Sequence, residues 1–134
     1  MIIQRVRQLI WRNMIYNTEE AKPYFTILGW VLILAFTGFY FFNLKIAAPS
    51  GYENLPLRLI IALFGILLIV YKDWPKSFVS QTPLIFYSIL IFSFPFFFSY
   101  MLFKNPTSNI WQVNELVGLV LLTFFVDSII DVFC

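Results

Sequence analysis

Residues 23–44 read PYFTILGWVLILAFTGFYFFNL and contain no charged side chain, and this stretch decides the class of fold. At 1.5 Å per residue it makes a helix of roughly 30 Å, which matches the hydrocarbon thickness of a bilayer. The rest of the chain has the same character, since 60% of its 134 residues are hydrophobic and only 12% are charged. The sequence therefore predicts an all-α fold, a polytopic helical bundle in a membrane.

Four stretches are predicted to span the membrane, at about residues 24–44, 57–71, 84–103 and 110–130. Pro95 lies inside the third stretch and has no N–H to donate to the carbonyl of Ile91, which predicts a kink. Ser93 and Ser99 lie nearby, and either hydroxyl is expected to satisfy the freed carbonyl.

Residues 1–22 form a separate N-terminal segment ahead of the membrane domain of residues 23–134. Apolar side chains recur there at helical spacing, with basic and amide side chains opposite them, which predicts an amphipathic helix in the membrane interface. The alternative is that this helix packs on the bundle. Asn17 and Glu20 have the spacing of a capping box, so a new helix is expected to begin at that point.

Basic residues predict the orientation of the chain, because Lys and Arg accumulate on the cytoplasmic side of membrane helices. One side would carry Arg5, Arg7, Arg12, Lys22, Lys72 and Lys76, and the other side would carry Lys45, Arg58 and Lys104. The N- and C-termini of a multi-pass inner-membrane protein are therefore predicted to be cytoplasmic. The first residues lack the pattern of a cleaved signal peptide, so the N-terminus is expected to be retained.

The composition argues against several classes of function. The chain has no histidine and a single cysteine, Cys134, so no catalytic residue, metal ligand set or cofactor is predicted. The net charge of +2 is too small to indicate nucleic-acid binding. Asp127 and Asp131 share a helix face, but without a third ligand a solvated helix end is favoured over a metal site.

Two charged residues fall inside predicted spans, and such residues usually mark a pair or a site. Arg58 and Glu115 would both lie near the external ends of their helices. We predict that they pair across the bundle, and the alternative is that each side chain reaches water separately.

The third span is unusually aromatic, and Phe97 lies in its densest part. Around the Pro95 kink these rings are expected to line a slot for an alkyl chain, with Trp111, Asn114 and Glu115 as polar contacts at one end. Together with Arg58, these are the candidate ligand-binding residues. The alternative for the aromatic run is ordinary packing within the core or against lipid.

A polar turn, GYENLPLR at residues 51–58, separates the first two spans. Tyr52, Glu53 and Asn54 are predicted to frame the start of the second span, a structural role shared by Pro95 in the third. Taken with Gly29-Trp30, Pro95-Phe96-Phe97-Phe98 and Ser108-Asn109-Ile110-Trp111, this turn resembles the membrane sensor region of hybrid histidine kinases that detect α-hydroxyketone autoinducers in quorum sensing. The resemblance extends over about residues 23–122.

The resemblance implies a six-span sensor that precedes a phosphoacceptor region and an ATP-binding region, neither of which this chain contains. The chain is therefore expected to be a sensor-like domain without enzymatic activity, either a fragment or a stand-alone remnant. The family uses a tryptophan near its ligand at the start of the fourth helix, which corresponds to Trp111, and Asn114 lies one turn later. The implied partners are the lipid bilayer, a small amphiphile and a second copy in a homodimer.

Two other functions remain open. A small multidrug-type transporter also has four spans, but the first span here lacks the proton-coupling acid that such a carrier needs. The second alternative is a structural or degenerate membrane protein that binds no ligand.

Overall fold

The computed structural model describes residues 1–47 and 52–126, and every regular element in these ranges is helical. The α-helices are α1 (Ile2–Ala21), α2 (Phe25–Phe42), α3 (Leu55–Ile69), α4 (Lys76–Val79), α5 (Thr82–Ile91), α6 (Phe97–Lys104) and α7 (Asn109–Val126). Short 3-10 helices cover Lys22–Tyr24 and Tyr71–Asp73, and π-helical turns cover Asn43–Ala47 and Phe92–Phe96. The all-α prediction is confirmed for these residues.

Two helical stretches, Ile2–Ile46 and Thr82–Lys104, have the length and hydropathy to cross a membrane. A third apolar helix, Leu55–Ile69, is shorter at 15 residues. Helix α7 covers most of the predicted fourth span, whose last residues lie outside the described ranges, as do Asp127, Asp131, Cys134 and Gly51.

The predicted helix start at Asn17 is wrong, because the chain is helical without interruption from Ile2 to Ile46. The Lys22 N–H donates to the carbonyl of Thr18, so the backbone ladder continues past the expected cap. Pro23 lies in the first residues of a 3-10 helix, where its missing N–H costs no hydrogen bond. Asn17 itself is buried, and its Nδ2 donates to the Tyr87 hydroxyl at 2.8 Å.

Helix α1 and the first residue of α2 both contact α5. Phe25 stacks on Phe86 with ring centroids 4.9 Å apart, while Asn17 bonds to the neighbouring Tyr87. Helix α1 also packs against α7.

Helices α2 and α3 pack with their backbones in contact. A Cβ atom built on Gly29 would lie 2.5 Å from the carbonyl oxygen of Gly65, and one on Gly65 would lie 2.5 Å from that of Gly29. No side chain larger than hydrogen fits at either position. Small residues at a crossing are the usual means by which membrane helices approach this closely.

Pro95 interrupts its helix as predicted, by way of the π-helical turn Phe92–Phe96. Such a turn widens the helix by one residue and tolerates the missing N–H. The expectation that a serine satisfies the freed carbonyl is wrong. The Ser99 Oγ donates to Glu115, and the buried Ser93 Oγ has no partner among the described residues.

Candidate functional site

The guanidinium group of Arg58 is the centre of a buried polar cluster at one end of the bundle. Its Nε donates to Glu53 Oε2 at 2.9 Å, and its Nη2 donates to Glu53 Oε1 at 3.0 Å. The two side chains are only 3% and 4% exposed. This two-point geometry is the strong form of an arginine–carboxylate pair, and burial makes it costly to break.

The predicted Arg58–Glu115 pair is therefore wrong. Glu53 lies in the turn just before α3, so it reaches the guanidinium without crossing the bundle. Glu115 instead accepts a hydrogen bond from the Ser99 Oγ at 2.8 Å, across the contact between α6 and α7. Arg58 pairs with Glu53 and not with Glu115 because the polar turn folds back over the first turn of α3.

Two aromatic rings lie close to the guanidinium group. The Arg58 Cζ lies 5.1 Å from the ring centre of Phe97 and 5.6 Å from that of Trp111. A third hydrogen bond runs from Nη1 to the carbonyl oxygen of Phe36 at 3.0 Å. Arg58 thus joins α2, α3, α6 and α7 through one charged group, and cation–π attraction is strongest where water is excluded.

The polar turn before α3 is fixed by amide side chains. Asn54 caps the helix, since its Oδ1 accepts from the Leu57 N–H at 3.0 Å. Asn43 Nδ2 donates to Glu53 Oε1 at 2.8 Å. Glu53 and Asn54 thus fix the turn that leads into α3.

Tyr52 ties the same turn to the end of α6. Its N–H donates to Asn105 Oδ1 at 2.9 Å, and Asn105 Nδ2 donates back to the Tyr52 carbonyl at 3.1 Å. The Tyr52 and Tyr100 hydroxyls lie 3.1 Å apart. This hydrogen bond with Tyr100 is the main cause of a raised pKa for the Tyr52 hydroxyl.

A cavity of about 160 Å³ lies beside the arginine, between α2 and α7. Its polar lining comes from Asn43, Arg58 and Asn114, all at one end. The remaining lining is apolar and aromatic: Val31, Ala35, Phe36, Phe39, Phe94, Phe98, Trp111, Val117 and Leu121. A mostly apolar lining with a few convergent polar groups is typical of ligand sites, although this cavity is smaller than most of them.

The structure brings together three of the five predicted ligand-binding residues, because Arg58, Trp111 and Asn114 all line this cavity. Phe97 does not line the cavity. Its fully buried ring lies against the Arg58 guanidinium instead. Glu115 points instead towards Ser99 on α6.

The sequence analysis did not predict that Asn43 lines this cavity. It is a lone amide at the end of an uncharged stretch of 22 residues, and that isolation was a usable signal. No group of three or more metal-binding side chains occurs within the described ranges.

Sequence comparison finds a similar protein of known activity. The chain is 36% identical over 105 residues to the CAI-1 autoinducer sensor kinase/phosphatase CqsS of Vibrio cholerae. The match covers 77% of this chain but only 15% of that protein, consistent with its N-terminal sensor region. No protein-family model and no solved structure matches the chain. The resemblance to the sensor region of a quorum-sensing histidine kinase is confirmed, and the apolar helices fit a membrane location.

Proposed function

We propose that this chain is a four-span sensor domain of the inner membrane that binds a small amphiphilic signal, such as an α-hydroxyketone, and has no kinase output of its own. In this proposal α2, α3, the α5–α6 pair and α7 span the bilayer, α1 lies in the interface, and both termini are cytoplasmic. The observation that carries the proposal is the cavity between α2 and α7, with its polar groups at one end.

Hydrogen-bond donors remain available at the polar end. An arginine side chain carries five N–H groups, and three of those of Arg58 donate to protein acceptors. The other two N–H groups of Arg58 have no partner among the described residues. A hydroxyketone offers adjacent hydroxyl and carbonyl oxygens that accept such donors, and the amide of Asn114 adds both a donor and an acceptor.

The apolar end suits a hydrocarbon tail. Val31 and Asn43 line the cavity from the same helical stretch, and their separation of 12 positions corresponds to a rise of about 18 Å. Val117 and Leu121 face this length from α7. A cavity of about 150 Å³ holds a benzene-sized molecule, so this one accommodates a head group and the first part of a tail.

Signalling would follow from a shift in population between two helix arrangements. A ligand seated here touches α2 and α7, and it can favour one arrangement only by binding it more tightly. Trp111 and Phe97 pack on the Arg58 guanidinium, which joins the helices. A ligand head group that moves this guanidinium would therefore also change the packing of α3 and α6. A partner, such as a second copy or an output domain, would read the shift.

Binding of a long-chain α-hydroxyketone to the chain in nanodiscs tests the proposal. We expect saturable binding, at least tenfold weaker in Asn114→Leu because the ligand oxygens lose a polar partner. Gln112→Leu is the matched control, since Gln112 is an exposed residue of the same helix turn. Absence of saturable binding, or equal weakening by both substitutions, would refute the proposal.

One observation favours a four-span transporter of the multidrug type as the second candidate. Glu115 Oε2 is buried without a hydrogen-bond partner among the described residues, and acidic side chains within membrane helices often mark a substrate or ion pathway. Proton-driven uptake of a lipophilic cation into vesicles, lost in Glu115→Gln, would support this candidate. No uptake together with saturable hydroxyketone binding would leave the sensor.

A further inference from the structure

The N-terminal half of α1 presents an apolar face that nothing covers among the described residues. Ile3, Val6 and Ile10 are 83%, 48% and 54% exposed. Met14 and Asn17 follow Ile10 by four and seven residues, so they lie on the same helix face. Both pack on the bundle. The face that meets α5 and α7 in the second half of α1 is thus uncovered in the first half.

Basic side chains complete the other sides of the helix. At 100° per residue, Arg5 and Arg12 lie together on the side opposite the apolar face, and Arg7 lies next to that face. None of the three is in an ion pair within residues 1–47 and 52–126, whereas Lys22 pairs with Glu19 at 2.6 Å. No acidic residue precedes Glu19. The first half of α1 therefore carries only positive charge.

We propose that α1 binds anionic lipid headgroups through Arg5, Arg7 and Arg12 while Ile3, Val6 and Ile10 enter the acyl boundary. This inference rests on the interfacial placement of α1 in the proposed function and adds the charge of its partner. Guanidinium groups bind phosphate oxygens in pairs, and an apolar face of this kind buries itself a few ångströms below them.

Hydrogen–deuterium exchange on the full chain tests this binding. The chain is placed in nanodiscs of phosphatidylcholine alone and in discs with about 30% phosphatidylglycerol, and exchange is followed over residues 2–12. We expect stronger protection in the anionic discs, reduced about fivefold for each arginine replaced. The double variant Arg5→Gln/Arg12→Gln should lose most of the difference, as should about 0.5 M salt. Lys22→Gln is the control, because Lys22 already has an acidic partner.

Each other outcome assigns the face differently and overturns the inference. Equal protection in both discs would mean that α1 lies in the interface but that headgroup charge has no role. Free exchange in both discs would mean that α1 does not lie in the interface, and this result would not affect the proposed hydroxyketone binding. Protection that requires two copies per disc would assign the face to a second chain, and protection lost when the chain ends at Val126 would assign it to the residues after α7.

Discussion

Helix α2 has two sides that differ in how closely a neighbour approaches. Towards α3 the backbones touch, with no room for a Cβ atom at Gly29 or Gly65. Towards α7 a cavity of about 160 Å³ remains, and Arg58 and its partners close one end of it. The closed side fixes α2 and α3 as one rigid pair, so the open side is where a ligand can change the packing at low cost.

The largest effect is expected from breaking the polar end of the open side. Glu53→Leu leaves the Arg58 guanidinium buried without its carboxylate, and an unpaired buried charge costs about 3–5 kcal/mol. We expect this loss in the free energy of unfolding, measured by denaturant titration in micelles. The double variant Glu53→Leu/Arg58→Leu should recover much of it, because both charges are then absent. A single variant as stable as the wild type would show that the pair contributes nothing.

Filling the closed side should have the next largest effect. Gly29→Val places methyl groups against the Gly65 carbonyl, and overpacking of this kind costs about 1–3 kcal/mol. Gly38→Val is the matched control on the same helix, because a Cβ atom at Gly38 meets nothing within 4 Å. We expect a lower Tm for the first variant only. Equal changes in both would attribute the loss to helix propensity and not to the crossing.

Filling the open side should leave stability nearly unchanged while removing ligand binding. Ala35 lines the cavity, and Ala35→Leu adds three carbons to a space that is already present. We expect a change in Tm that corresponds to less than about 1 kcal/mol, together with at least tenfold weaker hydroxyketone binding. Val113→Leu is the control, because Val113 is exposed on α7 and does not line the cavity. Unchanged binding in Ala35→Leu would place the ligand elsewhere.

The sequence predicted the helical class and the apolar stretches because each is a property of a continuous run of residues. It also predicted Trp111 and Asn114 on one helix face, where spacing alone decides the neighbours. The partner of Arg58 was predicted wrongly, since that choice depends on how the turn at residues 52–54 folds back. Asn43 was missed for a similar reason: it begins a π-helical turn, which shifts the side-chain direction away from the regular helical pattern.

The helix start at Asn17 was predicted wrongly for a different reason. The sequence of Asn17 and Glu20 fits a capping box, but Asn17 bonds to Tyr87, seventy residues later in the chain. A tertiary contact of this kind cannot be read from local spacing. The same contact joins α1 to α5, so the error concerns a boundary within a segment that is helical as expected.

The smallest expected effect concerns the hydroxyl pair that ties the polar turn to α6. The hydrogen bond with Tyr100 raises the pKa of Tyr52 above its ordinary value of 10.0. Because the folded pKa is the higher one, the contribution of this group to stability is complete below about pH 10 and is lost as pH rises through the folded value.

Tyr100→Phe removes the hydrogen bond and should return the pKa of Tyr52 towards 10.0. Carbon-13 NMR of labelled tyrosine rings measures this pKa directly, with the Tyr52→Phe variant to assign the signal. Tyr16→Phe is the control, since Tyr16 is exposed on α1. A pKa of Tyr52 that does not change in Tyr100→Phe would mean that the hydroxyl contact contributes nothing, and that the turn is joined to α6 by the Asn105 bonds and by Lys104 against both rings.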